Sequence, residues 1–187
     1  MVPKLVVASL LATAPALASA QPDRALQVQL NVGLVAFPGD VDVSTGGAWG
    51  FNVALGPWDL VELELGYLGA SYTERLGGGR NIVAVENGGY GAVKLAPVRG
   101  RVEPYLLGGF GISRVNVVDE PRAEGALQDE TIAKVPVAIG LDLAIDRFAI
   151  GVRGTWAFLL NNQLAFQTES ARGADQLLAT FHLGARF

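Results

Sequence analysis

The sequence predicts an all-β protein, an eight-stranded antiparallel up-and-down transmembrane β-barrel, and three observations carry that prediction. Six segments alternate apolar residues with polar or small ones at a period of two, the pattern of strands with two unlike faces. Short and long connections alternate along the chain, three short and four long, as a barrel with both ends on the same side of a membrane requires. Aromatic residues gather near the strand ends, where the two interfaces of a bilayer would lie.

Composition excludes several classes at once. Of 187 residues, 50% are hydrophobic and 17% charged, too greasy for a chain kept disordered by its charge. The absence of cysteine removes disulfide frameworks, thiolate metal sites and cysteine nucleophiles together. A formal net charge of -4 argues against nucleic acid as a partner, since such binding neutralises phosphates. The 24 glycines follow no collagen period and fit turns and crowded backbone.

Residues 1–20 read as a cleaved signal peptide. Lys4 supplies a positive start, Leu5 to Leu17 is an apolar run, and Ala18-Ser19-Ala20 offers small residues for cleavage before Gln21. That run is too short to cross a bilayer as a helix, which takes about 20 residues. Residues 21–187 then form the barrel. In the first strand Leu26, Val28, Leu30, Val32 and Leu34 oppose Gln27, Gln29, Asn31 and Gly33. The second sets Trp49, Phe51, Val53 and Leu55 against Gly50, Asn52 and Ala54, and the third sets Val61, Leu63, Leu65 and Tyr67 against Glu62, Glu64 and Gly66. Strands four and five, about Asn81 to Leu95 and Arg101 to Val115, are blurred by glycines. In the fifth, Val102, Leu106, Phe110 and Ile112 compete with Tyr105 and Leu107 for the apolar face. The sixth, seventh and eighth alternate cleanly again, with Asp142, Arg153 and His182 on their polar faces.

The connections Gly56 to Asp59, Ala96 to Arg101 and Asp146-Arg147 are short, whereas Pro38 to Ala48, Ser71 to Arg80, Asn116 to Thr131 and Asn161 to Asp175 are long. With the first strand rising outward, Trp58, Tyr105, Phe148 and Phe187 fall at the periplasmic ends. Phe37, Trp49, Phe51, Tyr67, Tyr72, Phe110, Trp156 and Phe158 fall at the outer ends, and Tyr90 and Phe181 lie mid-strand. No segment of the mature chain offers a spanning helix, so a closed barrel is what remains for a backbone in lipid.

The ending Phe181-His182-Leu183-Gly184-Ala185-Arg186-Phe187 resembles the C-terminal signature of bacterial outer-membrane barrels. Val102-Glu103-Pro104-Tyr105-Leu106-Leu107-Gly108-Gly109-Phe110-Gly111 is similar to the fifth strand of small OmpA-, OmpX- and OmpW-like barrels. The resemblance implies an outer-membrane location among lipid and lipopolysaccharide. It also implies that Phe181, Leu183, Ala185 and Phe187 form the signal read by the barrel-assembly machinery.

If the apolar faces meet lipid, the lumen receives Glu62, Glu64, Lys94, Asp142, Arg153, His182 and Arg186, with Glu86 beside Lys94 on the fourth strand. Eight strands leave an interior that side chains fill, so these charges must pair or be hydrated. Glu64, Arg153 and His182 fall at similar depth. The expected function is a structural or surface-interaction role with a plugged lumen, and the alternative is a narrow channel gated by a charge pair. A soluble lipocalin-like barrel needs the apolar face inward. Catalysis is not expected: His182 is the only histidine, and no serine neighbours it in its strand. One histidine and no cysteine make a poor metal site, and no cofactor is expected. Acids at 119, 120, 124, 129 and 130 give one long loop a negative character suited to cation-bridged lipopolysaccharide or a surface partner.

Overall fold

A computed structural model describes residues 26–38, 43–58, 60–76, 80–98, 100–118, 130–160 and 175–187. The expected leader (1–20), the Gly77-Gly78-Gly79 tip and most of the acidic loop lie outside the described residues. The eight strands are β1 Leu26–Ala36, β2 Gly46–Trp58, β3 Val61–Leu76, β4 Arg80–Leu95, β5 Val102–Val118, β6 Glu130–Ile145, β7 Phe148–Leu160 and β8 Gln176–Arg186. Each pairs antiparallel with its neighbour in sequence, and β8 closes on β1 from Gln27↔Arg186 to Ala36↔Leu177. Closure leaves no sheet edge, so every ladder has a partner, as lipid demands.

The register fixes the size of the barrel. From Leu177 the pairings run through Trp156, Val137, Gly108, Val93, Leu63 and Leu55 to Leu26, whereas Leu177 itself pairs with Ala36. The circuit is therefore staggered by ten residues (36 - 26). Eight strands with such a stagger tilt by about 40° and enclose a bore that side chains can fill.

Alternation places the apolar set outward. Leu30, Leu65 and Ile139 are 65–67% exposed, while Glu64, next to Leu65, and Asp142, next to the exposed Leu141, are 1% and 0% exposed. This orientation is opposite to that of a lipocalin-like soluble barrel. It also resolves the two blurred strands. On β5, Val102, Leu106, Phe110 and Ile112 face out and Tyr105 and Leu107 face in; on β4, Ala92 and Lys94 face in and Val93 and Leu95 face out.

Three expectations are corrected. Ser71 to Arg80 and Asn116 to Thr131 are not wholly loops, since β3, β4, β5 and β6 carry the wall outward to Leu76, Arg80, Val118 and Glu130. The sequence beat fades there because the faces exchange character: Tyr72, Ala84, Val115 and Ile132 turn inward, while Arg114 and Thr131 turn outward. Tyr72 is thus not a girdle residue; it is buried, its ring 4.6 Å from that of Phe37. Tyr105 likewise leaves the periplasmic girdle for the lumen, where it is 2% exposed. At the end of the barrel that holds the C-terminus β6 and β7 join through Asp146-Arg147, with Asp146 at φ 52°, a left-handed conformation that a short polar side chain tolerates.

Candidate functional site

The lumen is layered along the barrel axis. At the rim where the chain ends, Arg186 of β8 reaches across to Glu103 of β5, Nη1 donating to Oε1 at 3.2 Å and Nη2 to Oε2 at 2.5 Å. Above it Lys94 donates to Asp142 Oδ2 at 2.8 Å and lies 3.1 Å from Glu62 Oε2. His182 Nε2 is 2.6 Å from the other Asp142 oxygen, so Asp142 bridges the ammonium and the imidazole. The centre is a bidentate pair, with Arg153 Nη1 and Nη2 donating to Glu64 Oε1 and Oε2 at 2.7 and 2.8 Å. Tyr90 donates to Glu64 at 2.7 Å, and Arg153 Nε donates to the Tyr105 hydroxyl at 2.9 Å. Lys94 also lies 4.2 Å from the centre of the Tyr105 ring. Such multiply bonded pairs are the form in which buried charge is tolerated.

Glycines make room for these side chains. A Cβ on Gly66 would lie 2.4 Å from the Tyr90 ring, one on Gly140 2.2 Å from the Tyr105 ring, and one on Gly151 2.4 Å from His182 Nε2. Only the bare backbone leaves space for the rings that hold Glu64, Arg153 and Asp142 in place.

Above the central pair lies a chamber of about 60 Å³, lined by Asn31, Leu68, Arg153, Thr155, Leu178 and Thr180 among others. That volume accepts about four waters. A second polar group borders it, in which Lys134 pairs with Glu86 and donates to Gln176 at 2.7 Å, while Gln176 donates to Glu86 at 3.1 Å. The outer end is apolar: Val35, Ala48, Ala70, Tyr72, Ala84, Val115, Ile132, Ala157 and Leu178 form one buried cluster.

The structure gathers Glu62, Lys94, Asp142 and His182 into one cluster and Glu64 with Arg153 into another, with Arg186 at the rim. His182, expected at the depth of Glu64 and Arg153, binds Asp142 rather than either of them. Glu86, Lys134 and Gln176 form a separate group. Sequence reasoning passed over Glu103, Lys134, Gln176, Tyr90 and Tyr105. Parity already placed Lys134 with Asp142 and Gln176 with His182, whereas Glu103 and Tyr105 sat on a strand whose face glycine obscured. Phe181 and Leu183 face outward on β8, and Phe187, just past its end, is exposed. Among the described residues no group of three or more His, Asp or Glu is placed to hold a metal.

No family model matches the chain, and no curated protein matches it by sequence. Solved structures do. The N-terminal β-barrel domain of Pseudomonas aeruginosa OprF covers 86% of this chain and 97% of its own at 13% identity and a TM-score of 0.58. Neisserial surface protein A covers 88% and 97% at 9% identity and a TM-score of 0.60. Ail, the attachment invasion locus protein of Yersinia pestis, covers 88% and 97% at 12% identity and a TM-score of 0.50. This chain has the fold of the small outer-membrane β-barrels. At such low identity the shared quantity is the fold of the wall, and the lumen chemistry is this chain's own.

Proposed function

We propose that the protein is an integral outer-membrane barrel with a structural or surface-interaction role, its lumen closed by its own side chains. The single observation that carries this reading is the division of polarity across the wall. Leu30, Leu65 and Ile139 stand exposed on the outside, and every lumen charge named above has an opposite charge as neighbour on the inside. An exposed apolar belt of this extent is costly in water and favourable in lipid. Residues 1–20 act in this reading as the export leader, and the outward Phe181, Leu183, Ala185 and Phe187 as the assembly signal. Lipid and lipopolysaccharide surround the wall. The names of two similar proteins, one a surface protein and one an attachment locus product, support a surface role.

The reading is non-enzymatic. His182 has Asp142 beside it, as a general base would, but the buried serine, Ser113, pairs across β4 and β6 with Gly88 and Ile132, far along the wall from the Asn31↔His182 pair. Envelope fractionation followed by heat-modifiable gel mobility tests the central claim. A folded barrel runs differently from the boiled chain and partitions with outer membrane; a periplasmic, heat-insensitive protein overturns it.

One observation favours the channel as second reading: the chamber leaves part of the bore unfilled. Single-channel conductance separates the two. Wild-type barrel and Glu64→Ala giving the same trace removes the gated channel.

A further inference from the structure

We infer that the lumen is wetted from one end only: water enters at the periplasmic rim, follows β1 past Gln27, Gln29 and His182 to the chamber at Asn31, and stops at the apolar cap. The inference rests on the membrane reading above. Its first support is a set of buried atoms with no hydrogen-bond partner in the protein, Gln27 Nε2, Gln29 Nε2, Asn31 Oδ1 and His182 Nδ1. Their residues are 3%, 1%, 7% and 0% exposed, and buried polar atoms of this kind are nearly always satisfied, by water where protein does not serve.

Position makes the set informative. Gln27, Gln29 and Asn31 are consecutive inward residues of one strand, and His182 is the cross-strand neighbour of Asn31 on β8. Gln27 pairs in register with Arg186 at the rim, so the line begins at the periplasmic mouth. Within it Asn31 donates to Asn52 and Asn52 to Gln29, both at 2.8 Å, a ladder that uses both ends of the Asn52 amide and leaves Asn31 Oδ1 and Gln29 Nε2 over. The opposite wall differs, because there Glu64, Arg153, Tyr90, Tyr105, Lys94 and Asp142 satisfy one another. Among the described residues, buried atoms that lack a protein hydrogen-bond partner thus gather on the β1–β8 side, apart from Glu62 Oε2, which has the Lys94 ammonium 3.1 Å away.

The chamber supplies an end point for the file, and the cap supplies the stop. Asn31 and Thr180 line the chamber, and Leu68, Ala157 and Leu178 belong both to its wall and to the apolar cluster above. Beyond them Val35, Ala48 and Ile132 are 0–4% exposed and offer water no partner.

The cysteine-free chain gives a direct test, since a single introduced thiol is the only reactive one. Single-cysteine barrels folded in lipid vesicles, with folding checked by heat-modifiable mobility, are exposed to a small neutral methanethiosulfonate. Gln29→Cys, Asn31→Cys and Thr180→Cys are expected to label at least about tenfold faster than Val35→Cys and Ala48→Cys, because a thiol that must await opening reacts in proportion to its open population. Adding Gln27→Trp at the rim is expected to slow Asn31→Cys and Thr180→Cys by about tenfold. Uniformly slow labelling means a dry file, fast labelling at Val35→Cys means a bore open at both ends, and indifference to Gln27→Trp means entry from elsewhere; each overturns the inference. In the unmodified chain the side-chain amides of Gln27 and Gln29 are expected to cross-relax with water, and absence of that signal overturns it as well. A nitroxide at Ile139→Cys reports separately on the membrane reading. If it does not show lipid-like oxygen access, that reading fails whatever the lumen does.

Discussion

The lower and upper parts of this barrel use the same strands with opposite chemistry. From the rim to the level of Arg153 the wall is greasy outside and charged inside, with Leu65 and Ile139 facing out against Glu64 and Arg153 facing in. Near the outer end the same β3 and β6 bury Tyr72 and Ile132 and present Arg75 and Thr131. On the outer-membrane reading proposed above, the lower section is solvated by lipid and must place its polar groups within, and the upper section stands clear of lipid and folds like a water-soluble protein, apolar core inside. The exchange occurs within single strands, with no break in the ladder from Glu130 to Ile145. Burial in the lower section is therefore held by ion pairs, and in the upper section mainly by packing, with the Lys134–Glu86–Gln176 group set beside the apolar cluster.

The largest effect is expected where the lower section depends on charge. Glu64→Ala leaves Arg153 buried without its carboxylate and should cost about 3–5 kcal/mol. Reversible urea unfolding in lipid vesicles measures it. A cost near zero would mean that the central pair is solvated and the contrast with the cap is false. Pairing the change with Arg153→Met should recover most of the loss, since the cost comes from the abandoned partner rather than from the absent bond.

The cap should answer to volume instead. Ile132→Ala is expected to lose about 2–5 kcal/mol through cavity formation, and Ile132→Val much less. Outside the wall the contrast can be read on one strand by equal charges. Ile139→Lys, in the lipid-facing band, should cost about 2–4 kcal/mol, and Thr131→Lys, eight residues nearer the outer end of β6, about 0–1 kcal/mol. Equal costs at the two positions would abolish the boundary. A smaller effect is expected from Gly140→Ala, whose Cβ meets the Tyr105 ring at 2.2 Å and forces it aside at about 1–3 kcal/mol. Removing the ring with Tyr105→Ala should make the Gly140→Ala change nearly neutral, in the same unfolding measurement.

Those residues also show how far the sequence could be read. Glu62, Glu64, Asp142, Arg153 and His182 stand on strands whose apolar face is unbroken, so parity alone places them inside. Lys134 and Gln176 obeyed the same parity but lay at the ends of the alternating runs, where the beat no longer stood out. Glu103 and Tyr105 were hidden for a different reason: on β5, Gly108, Gly109 and Gly111 belong to neither face by polarity. Tyr72 was misplaced because an aromatic near a strand end fits a girdle and a cap equally well, and only the exchange of faces above the lipid band distinguishes them.

By itself the sequence determined the strand count, the closed antiparallel order and the facing of most side chains, because a period of two and the spacing of turns are local properties that lipid leaves no other way to satisfy. The tertiary structure decided which charges meet. Partners such as Glu64 and Arg153 are 89 positions apart in the chain, and their encounter depends on a ten-residue stagger that accumulates around the whole circuit. It also decided that Gly66, Gly140 and Gly151 serve as seats for Tyr90, Tyr105 and His182, since the space a missing Cβ leaves has meaning only once a ring from another strand has been brought across to fill it.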